Sequence, residues 1–462
     1  PPVLFSNTET TAMQDDTPKL TKGPPSKAII SMMAPMVIGL FVIIGNGLVD
    51  AYFIGQLGYA QLAAVSYAFP VWFVLGGIVM GLGIGTASLA SRAIGSGNKE
   101  VVREIATHAM FLSIVVGIIV IAVGLSSIDM VFGLLGANEE TMPYVREYME
   151  IYYWGGLFMA VPMIGNSVMR ASGDATTPSI LMASSAIVNA VLDPILIFGW
   201  FGFPAMGVRG AALASVLANV LFLIAALSIL IFRDNLIQFT NHSLKSITAS
   251  WKKILHVGLP AIASNLIAPL STALVTALIS SYGQAAVAAF GLAGRLEAFI
   301  IVILMALGGA LSPYVGQNFG AKRFDRLEAG FQFSIRFILV YSVFCIVFLY
   351  LSAEFFLGFF TSDPEVIRIA KMQLLYCPWG YGFLGVAAIC NGSFNAFGKP
   401  MPAMTISIAR TLVVYVPMAY LFASFIGIRG IFVAQVVANI LAGIAGIIWY
   451  KLLFKQLSNQ NT

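Results

Sequence analysis

From about residue 28 to residue 454 the chain is a succession of long apolar runs separated by short polar breaks. A helix needs roughly 20 consecutive apolar residues to cross the hydrocarbon of a bilayer. By that measure there are about twelve crossings. Inside lipid, backbone groups must satisfy one another, so runs of this length have to be helices. The composition agrees, with 59% hydrophobic residues, 10% charged residues and a mean hydropathy of +0.90. Soluble domains carry about 25% charged residues. The expected fold is an all-α polytopic membrane protein.

Charge placement gives an expected orientation. One side of the bilayer receives Lys22, Lys27, Arg92, Lys99, Arg103, Arg170, Arg233, Lys245, Lys252 and Lys253. In the second half the same side receives Lys322, Arg323, Arg326, Lys399, Lys451 and Lys455. The other side receives mainly acids: Asp129, Glu139, Glu140, Glu354, Asp363 and Glu365. Arg209 and Arg429 are the arginines expected there. Positive loops stay in the cytoplasm, so both termini are expected inside. The net charge of +5 is therefore topological, and no nucleic-acid partner is expected.

An internal repeat organises the spans. KAIISMMAP from Lys27 and KKILHVGLP from Lys252 place Pro35 and Pro260 at an offset of 225. The same offset pairs Gly95 with Gly320, Asn166 with Asn391, and Gly173 with Gly398. GVRGAALASVLAN from Gly207 matches GIRGIFVAQVVAN from Gly427, pairing Asn219 with Asn439. Six spans per half return the chain to the same side, so the halves are parallel repeats about an axis along the membrane normal. The expected architecture is twelve transmembrane helices in two pseudo-symmetric six-helix lobes around a central cleft. Its parts are a disordered tail over 1–26, a first lobe over 27–232, a linker over 233–253, a second lobe over 254–456 and a tail over 457–462.

Several function classes drop out. GSFNAFGKP at Gly392 has the wrong glycine spacing for a phosphate loop, and Pro stands where Ser or Thr is required. GLGIG at Gly81 lies inside an apolar span. Cys345, Cys377 and Cys390 are unpaired by spacing, and no nucleophile–base or metal pattern is visible, so no enzyme and no cofactor is expected. Transport driven by an ion gradient, or downhill movement of a solute, fits what remains.

Charges at membrane depth are costly and point to function. Asp50 lies in the first span and Asp193 in the fifth. Asn46 precedes Asp50 by four residues and Asn189 precedes Asp193 by four, so each pair shares a helical face. The repeat supplies an internal control: Asp50, Asn189 and Asp193 correspond to Val275, Val414 and Met418. The fold itself does not need these polar groups. At 1.5 Å per residue Asp50 lies ~33 Å along from Lys27, Asp193 ~22 Å from the start of its span and Ser215 ~10 Å into the sixth. All three fall in one half of the bilayer. Two carboxylates with amide and hydroxyl oxygens suit a shared proton or a hard monovalent cation, Na⁺ at Asp50, Asn189 and Asp193 being the possible metal. The proton is favoured, since one hydroxyl and one amide make a thin metal cage. Pro35, on the helix that carries Asp50, is an expected hinge. The second lobe carries Arg295, Glu297 and Arg410, whose repeat partners are Pro70, Trp72 and Ser185. Each is expected to find a partner across a helix interface or to contact substrate.

The chain resembles the multidrug and toxic compound extrusion (MATE) family from Lys27 to about Lys455. The resemblance rests on the two lobes and on four stretches: Pro35 to Gly58, GNSVMRASGDATTPS from Gly165, IVNAVLDPILIFG from Ile187 and GQNFGAKRFDR from Gly316. Within the family it is most similar to the DinF branch. The resemblance implies a monomeric multi-pass protein of the bacterial inner membrane that exports amphipathic, often cationic drugs in exchange for H⁺ or Na⁺. It places the coupling role on Asp50 with Asn189 and Asp193 beside it, and makes Ser215 an oxygen ligand. Asn46, Asn166 and Met182 are expected to line the first-lobe cavity. A flippase for a lipid-linked precursor is the alternative.

Overall fold

The computed structural model describes residues 18–238 and 243–461. It holds twelve long helices: α1 (Pro25–Gly55), α2 (Tyr59–Gly95), α3 (Lys99–Leu134), α4 (Met142–Ala171), α5 (Thr176–Phe198), α6 (Val208–Arg233), α7 (Leu244–Ser280), α8 (Gln284–Gly320), α9 (Phe324–Gly358), α10 (Pro364–Ala396), α11 (Pro400–Ile426) and α12 (Ile428–Gln460). Among the described residues, eleven of these are long and apolar enough to cross a bilayer. The other is α4, whose first turns carry Arg146, Glu147 and Glu150. Arg146 pairs at 2.6 Å with Asp129, so that charge is met by its neighbour.

Three expected boundaries move. The stretch 233–253 is not all linker, because α7 starts at Leu244 with the Ser243 hydroxyl accepting from the Ser246 N–H. Trp251, early in that helix, donates its indole N–H to the His108 carbonyl at 2.8 Å, which holds the segment against α3. The last helix runs on to Gln460, through the expected tail. Residues 1–17 of the expected N-terminal tail lie outside the described residues, but 18–24 are folded. Leu20 is 3% exposed, and its N–H donates to Gln317 Oε1 at 3.0 Å. The Arg326 guanidinium donates to the carbonyls of Gly23 (2.6 Å), Leu20 (3.2 Å) and Lys22 (3.1 Å). Pro25 then opens α1, where a missing N–H costs nothing.

The helices share two ends, one rich in Lys and Arg and one rich in acids. At the acidic end the structure adds three cations to those expected, and each is paired: Arg146 with Asp129, Arg368 with Glu365, and Lys371 with Glu354. At the basic end, in the turn between α4 and α5, Asp174 accepts from Thr177 and from Arg233 at 2.9 Å. Burial pushes the Asp174 carboxyl up, but the Thr177 hydrogen bonds and the Arg233 guanidinium outweigh it and hold it below the usual range.

The repeat is visible as contact. A Cβ on Gly95 would stand 2.1 Å from the Gln317 carbonyl oxygen, and one on Gly320 would stand 2.2 Å from the Arg92 carbonyl oxygen. Gly95 and Gly320 are repeat partners, and so are Arg92 and Gln317, at the same offset. Equivalent residues that touch reciprocally must lie on the pseudo-twofold axis. The side chains reach across in the same reciprocal way. Gln317 donates to the Ala171 carbonyl at 2.7 Å, while Arg92 donates to the Phe397 carbonyl at 3.5 Å. Farther along, Gly85, Gly81 and Gly77 of α2 admit the backbone or side chains of Gly258, Ile262 and Leu266 of α7. The tightest backbone approaches, at Gly95, Gly320 and Gly85, lie in the halves of the helices toward the basic end. The lobes are shut there.

Candidate functional site

The N-lobe cluster forms where α1, α5 and α6 meet. Asp50 stands five residues before the acidic end of α1, and Asp193 five residues before the corresponding end of α5. Asn46, one turn before Asp50, donates to Asn189 Oδ1 at 2.7 Å and reaches both Asp50 oxygens at 3.5 Å. Asn189 Nδ2 lies 3.4 Å from both Asp193 Oδ1 and Ser215 Oγ. Turning the Asn189 amide end for end brings that nitrogen 3.0 Å from Asp50 Oδ1 instead. The amide can therefore serve either carboxyl. The two carboxyl groups are themselves within hydrogen-bonding reach of each other. Asp193 is 1% exposed, and its Oδ2 meets no donor. Two negative charges this close, at membrane depth, are costly unless a proton or a cation sits with them.

An aromatic wall backs the cluster. Trp72 of α2 packs against Tyr148 (5.8 Å between centroids) and Tyr152 (5.6 Å) of α4. Tyr148 is close enough to feel the fields of both aspartates. These three were not singled out from the sequence. The only signal was the four-residue spacing of the tyrosines, which apolar packing alone also produces.

Two expected site residues fall elsewhere. Asn166 is five residues from the basic end of α4 and 2% exposed, so it is buried rather than lining a cleft. Its Oδ1 meets no donor. Met182 packs on a buried cluster from α3, α4 and α6 that includes Met110, Val161 and Phe222. The helix α1 runs through Pro35 without a break in this state.

The C-lobe charges come together in one cavity of about 600 Å³, which Arg295, Glu297 and Arg410 share with Gln373, Gln435 and Asn439. Glu297 Oε2 accepts from Gln373 at 3.1 Å, and Arg410 Nη1 donates to Asn439 Oδ1 at 3.0 Å. The expected cross-helix partners therefore exist for Glu297 and Arg410. Arg295 has none among the described residues. Arg410 stands in a π-helical stretch, Ala409–Tyr415. Pro417 just beyond cannot donate to the helix ladder, and widened turns of this kind recur at functional positions.

Comparison with known proteins agrees with this architecture. The model of the MatE family matches twice, over residues 35–195 and 260–421, once in each lobe. A relative in Shewanella oneidensis described as an FAD transporter is 34% identical over 92% of this chain and 94% of its own length. The multidrug export protein MepA of Staphylococcus aureus is 26% identical over 95% of this chain and 96% of its own. Among solved structures, the Vibrio cholerae MATE transporter VcmN in its bent form superposes with a TM-score of 0.89 at 31% identity, covering 96% of this chain and 99% of that one. A multidrug resistance MATE transporter in an outward-facing conformation gives a TM-score of 0.90 at 28% identity, over the same shares of the two chains. Two lobes that each match the family's model, carried through to the fold of its solved members, show that this chain belongs to the MATE family of membrane transporters.

Proposed function

We propose that the protein is a secondary active efflux antiporter. It exports amphipathic, often cationic compounds in exchange for H⁺, by alternating access, with protonation at Asp50 in the N-lobe. The observation that carries this reading is the Asp50–Asp193 carboxyl pair, clamped by Asn46 and Asn189 and absent from the repeat-equivalent positions of the C-lobe. The multidrug export function named for MepA supports the substrate class.

With the basic end in the cytoplasm, the lobes are shut inside and the cluster faces outward. The likeness to an outward-facing relative supports this state. A proton arriving from outside neutralises the pair and removes the charge that held a cationic solute, which then leaves. The Asn189 amide, able to face either carboxyl, lets the proton settle on one acid without leaving the other undonated. Once neutral, the pair no longer holds the N-lobe helices open to water, and bending of α1 at Pro35 would carry the lobe to the inward-open state. Proton release to the cytoplasm restores the negative charge and the affinity for the next cation. Na⁺ held by Asp50, Asn189, Asp193 and Ser215 would serve the same cycle, with fewer oxygens than a hard cation usually takes.

Asp50→Asn tests the reading. In everted membrane vesicles energised by a proton gradient, the variant should insert in normal amounts and export no ethidium. Export at the wild-type rate would remove Asp50 from the coupling step.

A further inference from the structure

The C-lobe cavity is the repeat counterpart of the N-lobe site, with its chemistry exchanged. At the offset of 225, Trp72, Tyr148 and Tyr152 correspond to Glu297, Gln373 and Cys377. In the N-lobe the three aromatics pack on one another. In the C-lobe Glu297 is hydrogen-bonded by Gln373 and lies against Cys377. Asp50 corresponds to Val275, which lines the C-lobe cavity. The duplication has thus kept a polar cluster in each lobe, with Asp50 and Asp193 in one and Arg295, Glu297 and Arg410 in the other.

We infer that the C-lobe cavity is a second solute subsite, one that binds the phosphate or carboxylate group of an organic anion. Arg295 lies about 17 Å from the acidic end of α8, and Arg410 about 15 Å from the basic end of α11. Both are therefore near the middle of the membrane. An arginine there is expensive and is kept with a partner or for a ligand. Neither makes an ion pair among the described residues; Glu297, the carboxylate among the described lining residues, accepts from Gln373 with Oε2 and leaves Oε1 without a donor. Asn439 is 1% exposed, accepts from Arg410 with its Oδ1, and has a buried Nδ2 with no acceptor. The corner around Arg410 thus offers donors in excess of acceptors. A guanidinium fork matches a phosphate or carboxylate in geometry as well as charge. The apolar wall of Val275, Val287 and Phe290 leaves room for the rest of an amphipathic molecule. Glu297 lies beside the donors, keeps the empty cavity from being wholly cationic, and limits how tightly an anion is held, as a carrier requires.

This deepens the efflux reading and rests on it for the direction of transport, but it is tested by binding. The probes are riboflavin 5′-phosphate and riboflavin, which differ only in the phosphate. Their fluorescence is titrated against the full chain in nanodiscs of neutral lipid. The wild type should bind the phosphate ester at least tenfold more tightly. Arg295→Gln should reduce that ratio about tenfold, and Arg295→Gln with Arg410→Gln should bring it close to one, each lost charge-assisted contact being worth about tenfold. Arg295→Lys should keep most of the preference. A variant that merely packs badly would weaken both probes alike and leave the ratio intact. Equal binding of the two probes by the wild type, or a ratio that survives the double substitution, overturns the inference. Failure of ethidium export under a proton gradient would instead count against the efflux reading and leave the binding ratio as it is.

Discussion

The shut basic end depends on two glycines, and adding a single methyl to one of them should push the lobes apart. In Gly95→Ala the new Cβ would stand 2.1 Å from the Gln317 carbonyl oxygen and 2.8 Å from its carbon, both backbone atoms. Ordinary contact begins near 3.4 Å, so relief requires a shift of roughly 1 Å between α2 and α8. Overpacking of this kind costs about 1–3 kcal/mol. The clash exists only where the lobes touch, so the cost falls on the inward-shut state alone and shifts the conformational ratio by about 5- to 150-fold. Spin labels on Ser96→Cys and Asp325→Cys, both exposed at the basic end, report the separation. The native cysteines are all buried, which keeps background labelling low. Pulsed dipolar spectroscopy should show a longer distance gaining population in Gly95→Ala and in the reciprocal Gly320→Ala. Gly76→Ala, on the same helix with nothing within 4 Å, should leave the distribution unchanged. A wild-type distribution in Gly95→Ala would refute the contact as the closing element.

Other perturbations follow from the same geometry. Asp193→Asn should reduce proton-driven ethidium export at least tenfold, and Glu297→Gln much less. Equal losses in vesicle assays would mean that coupling is spread over both lobes. Arg326→Ala removes the donor to three backbone carbonyls of residues 20–23 and should cost the N-terminal strap at least about 2 kcal/mol, read as trypsin cleavage at Lys19 and Lys22 that the wild type resists. Asp174 has its folded value held low, so its tie to Arg233 is fully present above the ordinary carboxylate range and is lost as pH falls through the lower folded value. Hydrogen exchange at the start of α5 should accordingly stay slow from pH 7 to about pH 4 and rise only in stronger acid. A rise near pH 6 would assign the tie to another group.

Much of this molecule was legible in one dimension because the membrane leaves so few choices. A run of 20 apolar residues has to be a helix, and the paired prolines and glycines at a fixed offset had to mark two lobes. The Asp50 cluster was legible because Asn46 and Asp50, and Asn189 and Asp193, each share a helical face, while the repeat partners are apolar. What sequence could not supply was which helices are neighbours. Trp72 and Tyr148 are 76 residues apart and meet only because α2 packs on α4. Arg295 and Arg410 read as two unrelated charges until α8 and α11 bring them to one cavity. Asn439 entered the sequence only as the repeat partner of Asn219, and the structure shows that it holds Arg410. The strap at 18–24 was hidden by its polarity. Its order comes from Arg326 and Gln317, about 300 residues away, and not from its own residues. Polarity hid the first turns of α7 as well, since Lys252 and Lys253 suggest a loop while Trp251 anchors a helix.

The most direct test of a proton-coupled antiporter is efflux from proteoliposomes in which the only driving force is a pH difference. Purified protein is reconstituted with ethidium inside, Na⁺ is absent on both sides, and a pH jump makes the receiving side acidic. Wild-type protein should release dye at a rate that grows with the imposed difference and collapses with a protonophore, and Asp50→Asn should release none. Vesicles that stay silent under the pH difference and release dye only when Na⁺ is added would contradict the assignment of the proton to the Asp50–Asp193 pair.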